Sequence, residues 1–271
     1  MYAICGVGNW GLKLLSEFSK TQKFKYFCCN SSETETKILS LYPHLKRASL
    51  EEICHDSSIT DVIVSVPINK LGEFSKKLIA YDKNLFLEKP ASSSLKESLS
   101  INRLNSNNFI QVNYKFLFHE KLLNLKKQIS SGRQFNRFSF EWFKYGSFNN
   151  DIRLNLLCHP ISILKYLFPL EDFYMEYSDL QENSVVVNCF SDKLRGRILI
   201  CRKSQDRRFH FALEDSKRKI TKVDLNNSSL LNDSIKNFVD KTNSDIGLEF
   251  ASKVLKQLEN IKYLQIKVQE R

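Results

Sequence analysis

Tyr2-Ala-Ile-Cys-Gly-Val-Gly-Asn-Trp-Gly11 runs a short apolar strand directly into Gly6-x-Gly8-x-x-Gly11. From Leu12 to Phe18 the apolar residues recur at spacings that suit one face of a helix. A glycine motif of this kind is weak alone and informative between a strand and a helix. Gly6 permits a tight turn, Gly8 a close approach of backbone to a pyrophosphate, and Gly11 close packing of helix on strand. The stretch from Gly6 to Gly11, with Asn9 and Trp10 inside it, is therefore expected to bind a dinucleotide whose phosphates face the helix N-terminus.

Further strand–helix alternations follow. Phe24-Lys-Tyr-Phe-Cys-Cys29 reads as a second strand ending at Asn30-Ser31-Ser32. An acid at that point favours NAD, and its absence here tilts the expectation slightly to NADP, with Asn30 and Ser31 as candidate contacts. No arginine lies nearby in sequence, Lys37 is the one close cation, and Glu33 and Glu35 would repel a phosphate. Asp61–Val66 is a third strand, stopped by Pro67, which cannot continue a central ladder. A helical pattern over Leu71–Tyr81, a strand Asn84–Leu87 running into Glu88-Lys89-Pro90, a helical pattern over Ser94–Asn105 and a strand Phe109–Val112 complete the series. Such alternation predicts an α/β fold whose first domain, residues 1–112, is a doubly wound parallel Rossmann sheet. Ligands sit at the carboxyl ends of such strands, so the glycine turn and Glu88-Lys89-Pro90 are expected to face one crevice, with Pro67 and Glu88 as further candidate cofactor contacts.

From Asn113 the pattern changes. A helix over Glu120–Ser131 precedes strand-like Gln134–Lys144, the stretch around Asn155–Phe168, and strands near 173–177, 184–190, 194–202, 207–213 and 217–223. Short polar turns between them predict an α+β domain over residues 113–271 with a mostly antiparallel open sheet and a helical tail near 234–264. The chain has 271 residues and a net charge of +11, with its densest basic set between Lys193 and Lys219. Those cations alternate with apolar residues as on a solvated strand face, and no nucleic-acid motif accompanies them. The seven cysteines show neither CxxC pairs nor metal-ligand spacing, which predicts reduced thiols, no metal site and a cytoplasmic protein. No apolar run reaches the roughly 20 residues of a membrane span, and a strand expected to begin at residue 1 leaves no expected room for a leader.

The order of these pieces resembles the glucose-fructose oxidoreductase / inositol dehydrogenase (Gfo/Idh/MocA) family. The matching residues are Gly6–Gly11, Asp61–Pro67, Asn84–Pro90, Asn113-Tyr-Lys-Phe116 and the segment around His159, with the last hundred residues matching in pattern alone. The resemblance implies an NAD(P)-dependent oxidoreductase acting on a sugar or nucleotide-sugar, and a homo-oligomer joined through the open sheet. Hydride transfer at a carbinol carbon also needs a proton moved at its oxygen. The resemblance gives that role to Lys89, with His159 as partner and Lys115 and Asn155 as substrate contacts. Relatives commonly carry aspartates four residues before and three after this histidine, where this chain has Asn155 and Ser162. Leu71 is the nearest match to a histidine frequent after the third strand. Pro160 is expected to bias His159 away from helical geometry. A non-catalytic dinucleotide-binding member serving assembly or regulation is the alternative, and a biliverdin-reductase-like enzyme a third.

Overall fold

A computed structural model describes residues 1–104, 107–145, 151–226 and 229–263. The chain divides into two compact units, Met1–Tyr114 with Leu231–Ser252, and Lys115–Leu230 with the described residues from Lys253 onward. The predicted segment ends at Asn105 and Leu264, and residues 264–271 of the predicted second domain, lie outside the described residues.

The first unit alternates β1 (Tyr2–Cys5), α1 (Asn9–Phe18), β2 (Phe24–Cys28), α2 (Ser32–Leu41), β3 (Lys46–Arg47), α3 (Leu50–His55), β4 (Asp61–Val64), α4 (Ile68–Ala80), β5 (Asn84–Leu87), α5 (Leu95–Asn102) and β6 (Ile110–Val112). All neighbouring strands run parallel, in the order β3-β2-β1-β4-β5-β6. The order reverses between β1 and β4, and ligands of such sheets bind beyond the carboxyl ends at that reversal. Every residue of β1 and β4 is buried, as expected of central strands covered on both faces.

One of those faces is closed by a segment from far along the chain. The helix Leu230–Asp240 carries Leu231, Ile235 and Phe238 at four- and three-residue spacing, and all three join the core under the sheet. The Phe238 ring meets Phe86 at 5.5 Å, Phe109 at 5.9 Å, Phe18 at 6.1 Å and Tyr2 at 6.5 Å between centroids. Buried Asp61 on β4 receives the Lys241 ammonium at 2.9 Å, anchoring the end of that helix. The sequence reading assigns all of 113–271 to the second domain, whereas residues 231–252 pack with the first unit. An apolar stripe on a helix says that it is buried, not which sheet buries it.

The second unit contains α6 (Glu120–Ser130), β7 (Arg137–Tyr145), α7 (Cys158–Leu167), β8 (Tyr174–Leu180), β9 (Ser184–Phe190), β10 (Arg195–Cys201), β11 (Lys203–Glu214), β12 (Ile220–Asp224) and β13 (Lys262–Tyr263). They form a seven-stranded sheet, β12-β11-β7-β10-β9-β8-β13, antiparallel except at β7/β10 and β8/β13. Val185, Val187 and Cys189 on β9, and Ile198 and Ile200 on β10, are buried, while Arg195 and Arg197 point to the exposed side. The predicted helical tail is two helices, Leu230–Asp240 and Leu248–Glu259. Among the described residues no helix is long and apolar enough to cross a membrane.

Candidate functional site

The glycine turn has the geometry its sequence foretells. Gly6 has φ +86°, and a side chain there would place Cβ 2.5 Å from the Ser65 carbonyl oxygen. A Cβ on Gly11 would overlap the Gly6 carbonyl oxygen, so α1 can lie this close to β1 only with glycine at that point. Around Gly8 the space is open, with no atom within 4 Å of where its Cβ would stand. Gly8 caps α1 without any side-chain hydrogen bond, which leaves first-turn N–H groups directed to an incoming anion. The turn fits a pyrophosphate.

At the carboxyl end of β2, Cys28, Cys29 and Asn30 line a cavity of about 740 Å³ together with Glu35, Arg47 and residues of α3 and α4. Ser31 is committed locally, its hydroxyl accepting from the Thr34 N–H at 3.2 Å as the cap of α2. The sequence reading finds no arginine close to Asn30, yet the fold brings Arg47 there. Its guanidinium donates to the Cys29 carbonyl at 3.3 Å and pairs with Glu35 at 2.6 Å. Arg47 was not legible because it sits on a two-residue strand, too short to show any period. Across β1 and β2, Cys5 and Cys28 are register partners. The hydrogen bond to the Cys5 thiol, helped by the Arg47 charge, holds the Cys28 thiol below the usual cysteine range and drives Cys5 up.

Beyond β5, Glu88 is the hub. One of its carboxylate oxygens accepts the Trp10 indole N–H at 2.5 Å and the Asn113 amide at 2.7 Å. Asn113 accepts in turn from the Ser234 hydroxyl at 2.9 Å, and Gln111 donates to Ser234 from the adjacent strand β6. The glycine turn and the Glu88-Lys89-Pro90 stretch are thus joined directly, as their positions at strand ends imply. Lys89 is half-buried, and its peptide to Pro90 is cis. Pro67 ends the region of β4 and caps α4.

The remaining candidates belong to the second unit. His159 is buried on α7, its ring against Phe116 at 4.8 Å and Trp142 at 5.4 Å. Trp142 itself stacks on Phe209 at 4.2 Å. Both His159 and Pro160 are helical, contrary to the expectation from Pro160. A wide turn over Arg153–Leu157 precedes α7, and its altered ladder accommodates the missing proline N–H. Asn155 lies in that wide turn, so a simple four-residue helical spacing to His159 does not hold. Ser162 donates its hydroxyl to the His159 carbonyl at 2.7 Å. Lys115 starts a short 3-10 turn and its ammonium lies over the Phe116 ring at 5.2 Å. The aromatic surround of His159 escaped the sequence reading, since Phe116, Trp142 and Phe209 come from three distant segments. No group of acids, histidines and cysteines among the described residues is arranged to hold a metal ion.

A parallel sheet in this strand order, with an open glycine turn at its reversal, is the architecture in which a dinucleotide fits beyond the strand ends. The family profile described as "Oxidoreductase family, NAD-binding Rossmann fold" (GFO_IDH_MocA) matches residues 1–113. No curated protein matches the sequence. Among solved structures, the chain is similar to scyllo-inositol dehydrogenase from Lactobacillus casei with bound NAD(H) and scyllo-inositol: TM-score 0.81, 9% identity, 96% of this chain and 95% of that one. It is likewise similar to UDP-N-acetylglucosamine 3-dehydrogenase from Acidithiobacillus ferrooxidans, with TM-score 0.79, 11% identity and 96% of each chain covered. The WlbA dehydrogenase from Bordetella pertussis, in complex with NADH and UDP-GlcNAcA, gives TM-score 0.79 at 12% identity, over 96% of this chain and 94% of that one. At these identities the likeness establishes the fold.

Proposed function

We propose that this chain is an NAD(P)-dependent oxidoreductase acting on a hydroxyl or keto carbon of a sugar or nucleotide-sugar. The observation that carries the reading is the Trp10–Glu88–Asn113 hydrogen-bonded set, which ties the open glycine turn to the Lys89 segment. Gly6, Gly8, Asn9, Trp10, Gly11, Asn30, Ser31, Pro67 and Glu88 are the residues that hold the dinucleotide. The bound nicotinamide supplies or accepts hydride. Lys89 serves as principal acid or base at the substrate oxygen, with His159 as the second such group and Lys115 and Asn155 as substrate contacts. The missing acid at Asn30 and the guanidinium of Arg47 support a lean to NADP, against the charge of Glu35. The substrates and NAD(H) of the similar dehydrogenases support the substrate class. Seven cysteines, all thiols, suit a reducing cytoplasm. The exposed sheet face is proposed to join subunits into a dimer or tetramer, and light scattering that finds only monomer refutes that part.

Titration with NADH and NADPH separately, followed by nicotinamide fluorescence, tests the reading. One cofactor binds tightly and Gly8→Val abolishes it; absence of binding in folded protein overturns the assignment. A non-catalytic dinucleotide-binding role is the second reading, favoured by the burial of His159 among aromatic rings and by Asn155 and Ser162. Cells carrying Lys89→Ala and His159→Ala separate the two, since full pathway function in both leaves only the second.

A further inference from the structure

A second cavity, of about 460 Å³, lies in the second unit, between the end of α7 with the loop after it and the last turns of the helix Leu248–Glu259. Its charged lining is unbalanced, with Lys165, Lys253 and Lys256 against a single acid, Asp172. Lys253 and Lys256 stand three residues apart on one helix face, where neighbouring side chains share a surface. Lys165 faces them from α7, half-buried, donating to the Glu171 carbonyl at 3.1 Å, with its ammonium 5.4 Å from the centre of the Phe173 ring. The loop is pinned in place, because buried Gln257 donates to the Phe173 carbonyl at 2.9 Å.

We propose that this cavity binds the phosphate monoester of a small hydroxylated molecule, its phosphate held by Lys165, Lys253 and Lys256 and a hydroxyl by Asp172. Lys256 and Lys253 both repel the Lys165 ammonium, and a dianion placed among the three removes that repulsion while accepting several charge-assisted hydrogen bonds. Burial, and then the charges of Lys256 and Lys253, push the Lys165 ammonium below its ordinary value, with Asp172 opposing. Asp172, an acceptor when ionised, suits a donor hydroxyl beside the phosphate and disfavours a bare polyanion such as nucleic acid. None of these residues belongs to the dinucleotide turn or to the candidate acid–base groups.

Calorimetric titration of the full chain with glycerol 3-phosphate, and with glycerol as control, tests the proposal without any turnover readout. Saturable binding of the phosphate ester alone is expected, unchanged in Gly8→Val and weakened about tenfold in Lys256→Gln, the loss of one charged hydrogen bond. Lys165→Gln should weaken it at least as much, and Lys256→Gln, on an exposed helix surface, guards against misfolding of that buried variant. Absence of saturable binding, equal binding of glycerol, survival of binding in both lysine variants, or its loss in Gly8→Val overturns the proposal.

Discussion

The link between Trp10 and Glu88 can be measured as a coupling energy. Trp10→Phe keeps an aromatic ring on α1 and removes the indole N–H, while Glu88→Ala removes the acceptor that both Trp10 and Asn113 use. The bond is 2.5 Å long, part-buried and made to a carboxylate. Hydrogen bonds to charged groups contribute about 1.5–3 kcal/mol net. Partial exposure places this one at the lower end, so a double-mutant cycle should return a coupling of about 1.5 kcal/mol. Glu88→Ala alone should cost more than Trp10→Phe, because it also strands the amide of Asn113, which is itself buried. Glu88→Gln retains an oxygen acceptor and should recover about half of the loss, charge-assisted bonds being roughly twice as strong as neutral ones. Urea unfolding of the wild type, two single variants and the double variant gives the cycle, and NADH or NADPH titration of the same four gives the functional counterpart. Additive losses in stability, with no coupling beyond about 0.3 kcal/mol, would refute the reasoning that this bond fastens the glycine turn to the Lys89 segment.

Phe238→Ala should destabilise the first unit by about 3–5 kcal/mol, the usual range for deleting a buried phenyl ring, read as a lower urea midpoint at unchanged slope. Arg47→Ala should weaken NADPH binding about tenfold while leaving NADH within about twofold, the loss of one charged contact to a phosphate. Equal losses for both cofactors would assign Arg47 a structural role instead. Because the folded state lowers the Cys28 pKa, its thiolate fraction at neutral pH exceeds that of an ordinary cysteine and falls as pH drops. Iodoacetamide should therefore label Cys28 ahead of Cys189, whose burial pushes its thiol up, and Arg47→Ala should slow the labelling. Mass spectrometry of the labelled peptides decides it.

The parts of the fold most legible in the sequence were those encoded by neighbours. Each strand of the first sheet that carries a buried run, from Tyr2–Cys5 to Ile110–Val112, announces itself through local hydrophobicity, and the glycine motif states its own geometry. The strand Lys46–Arg47 does not, since both residues are polar and exposed and only pairing with Tyr26 and Phe27 makes it a strand. The start of α3 is local too, since Ser49 and Glu52 three residues later form a capping box. Lys89 and Glu88 were found because a tripeptide carries them. Arg47 and the rings around His159 were not, because their roles depend on contacts between residues far apart in the chain. The same limit hid the destination of residues 231–252. A period of 3.6 specifies an apolar face and says nothing about its partner.

That destination also sets an order of events during synthesis. The ribosome completes the first six strands early, and then makes residues 115–230 of the other unit before Leu231, Ile235 and Phe238 emerge. Until then the face that meets Phe18 and Phe86 has no cover, and a nascent nucleotide-binding unit presents an apolar surface of the kind that recruits chaperones. An expression fragment ending near residue 112 would carry that surface permanently, and should be recovered from inclusion bodies unless the helix Leu230–Asp240 is spliced back on.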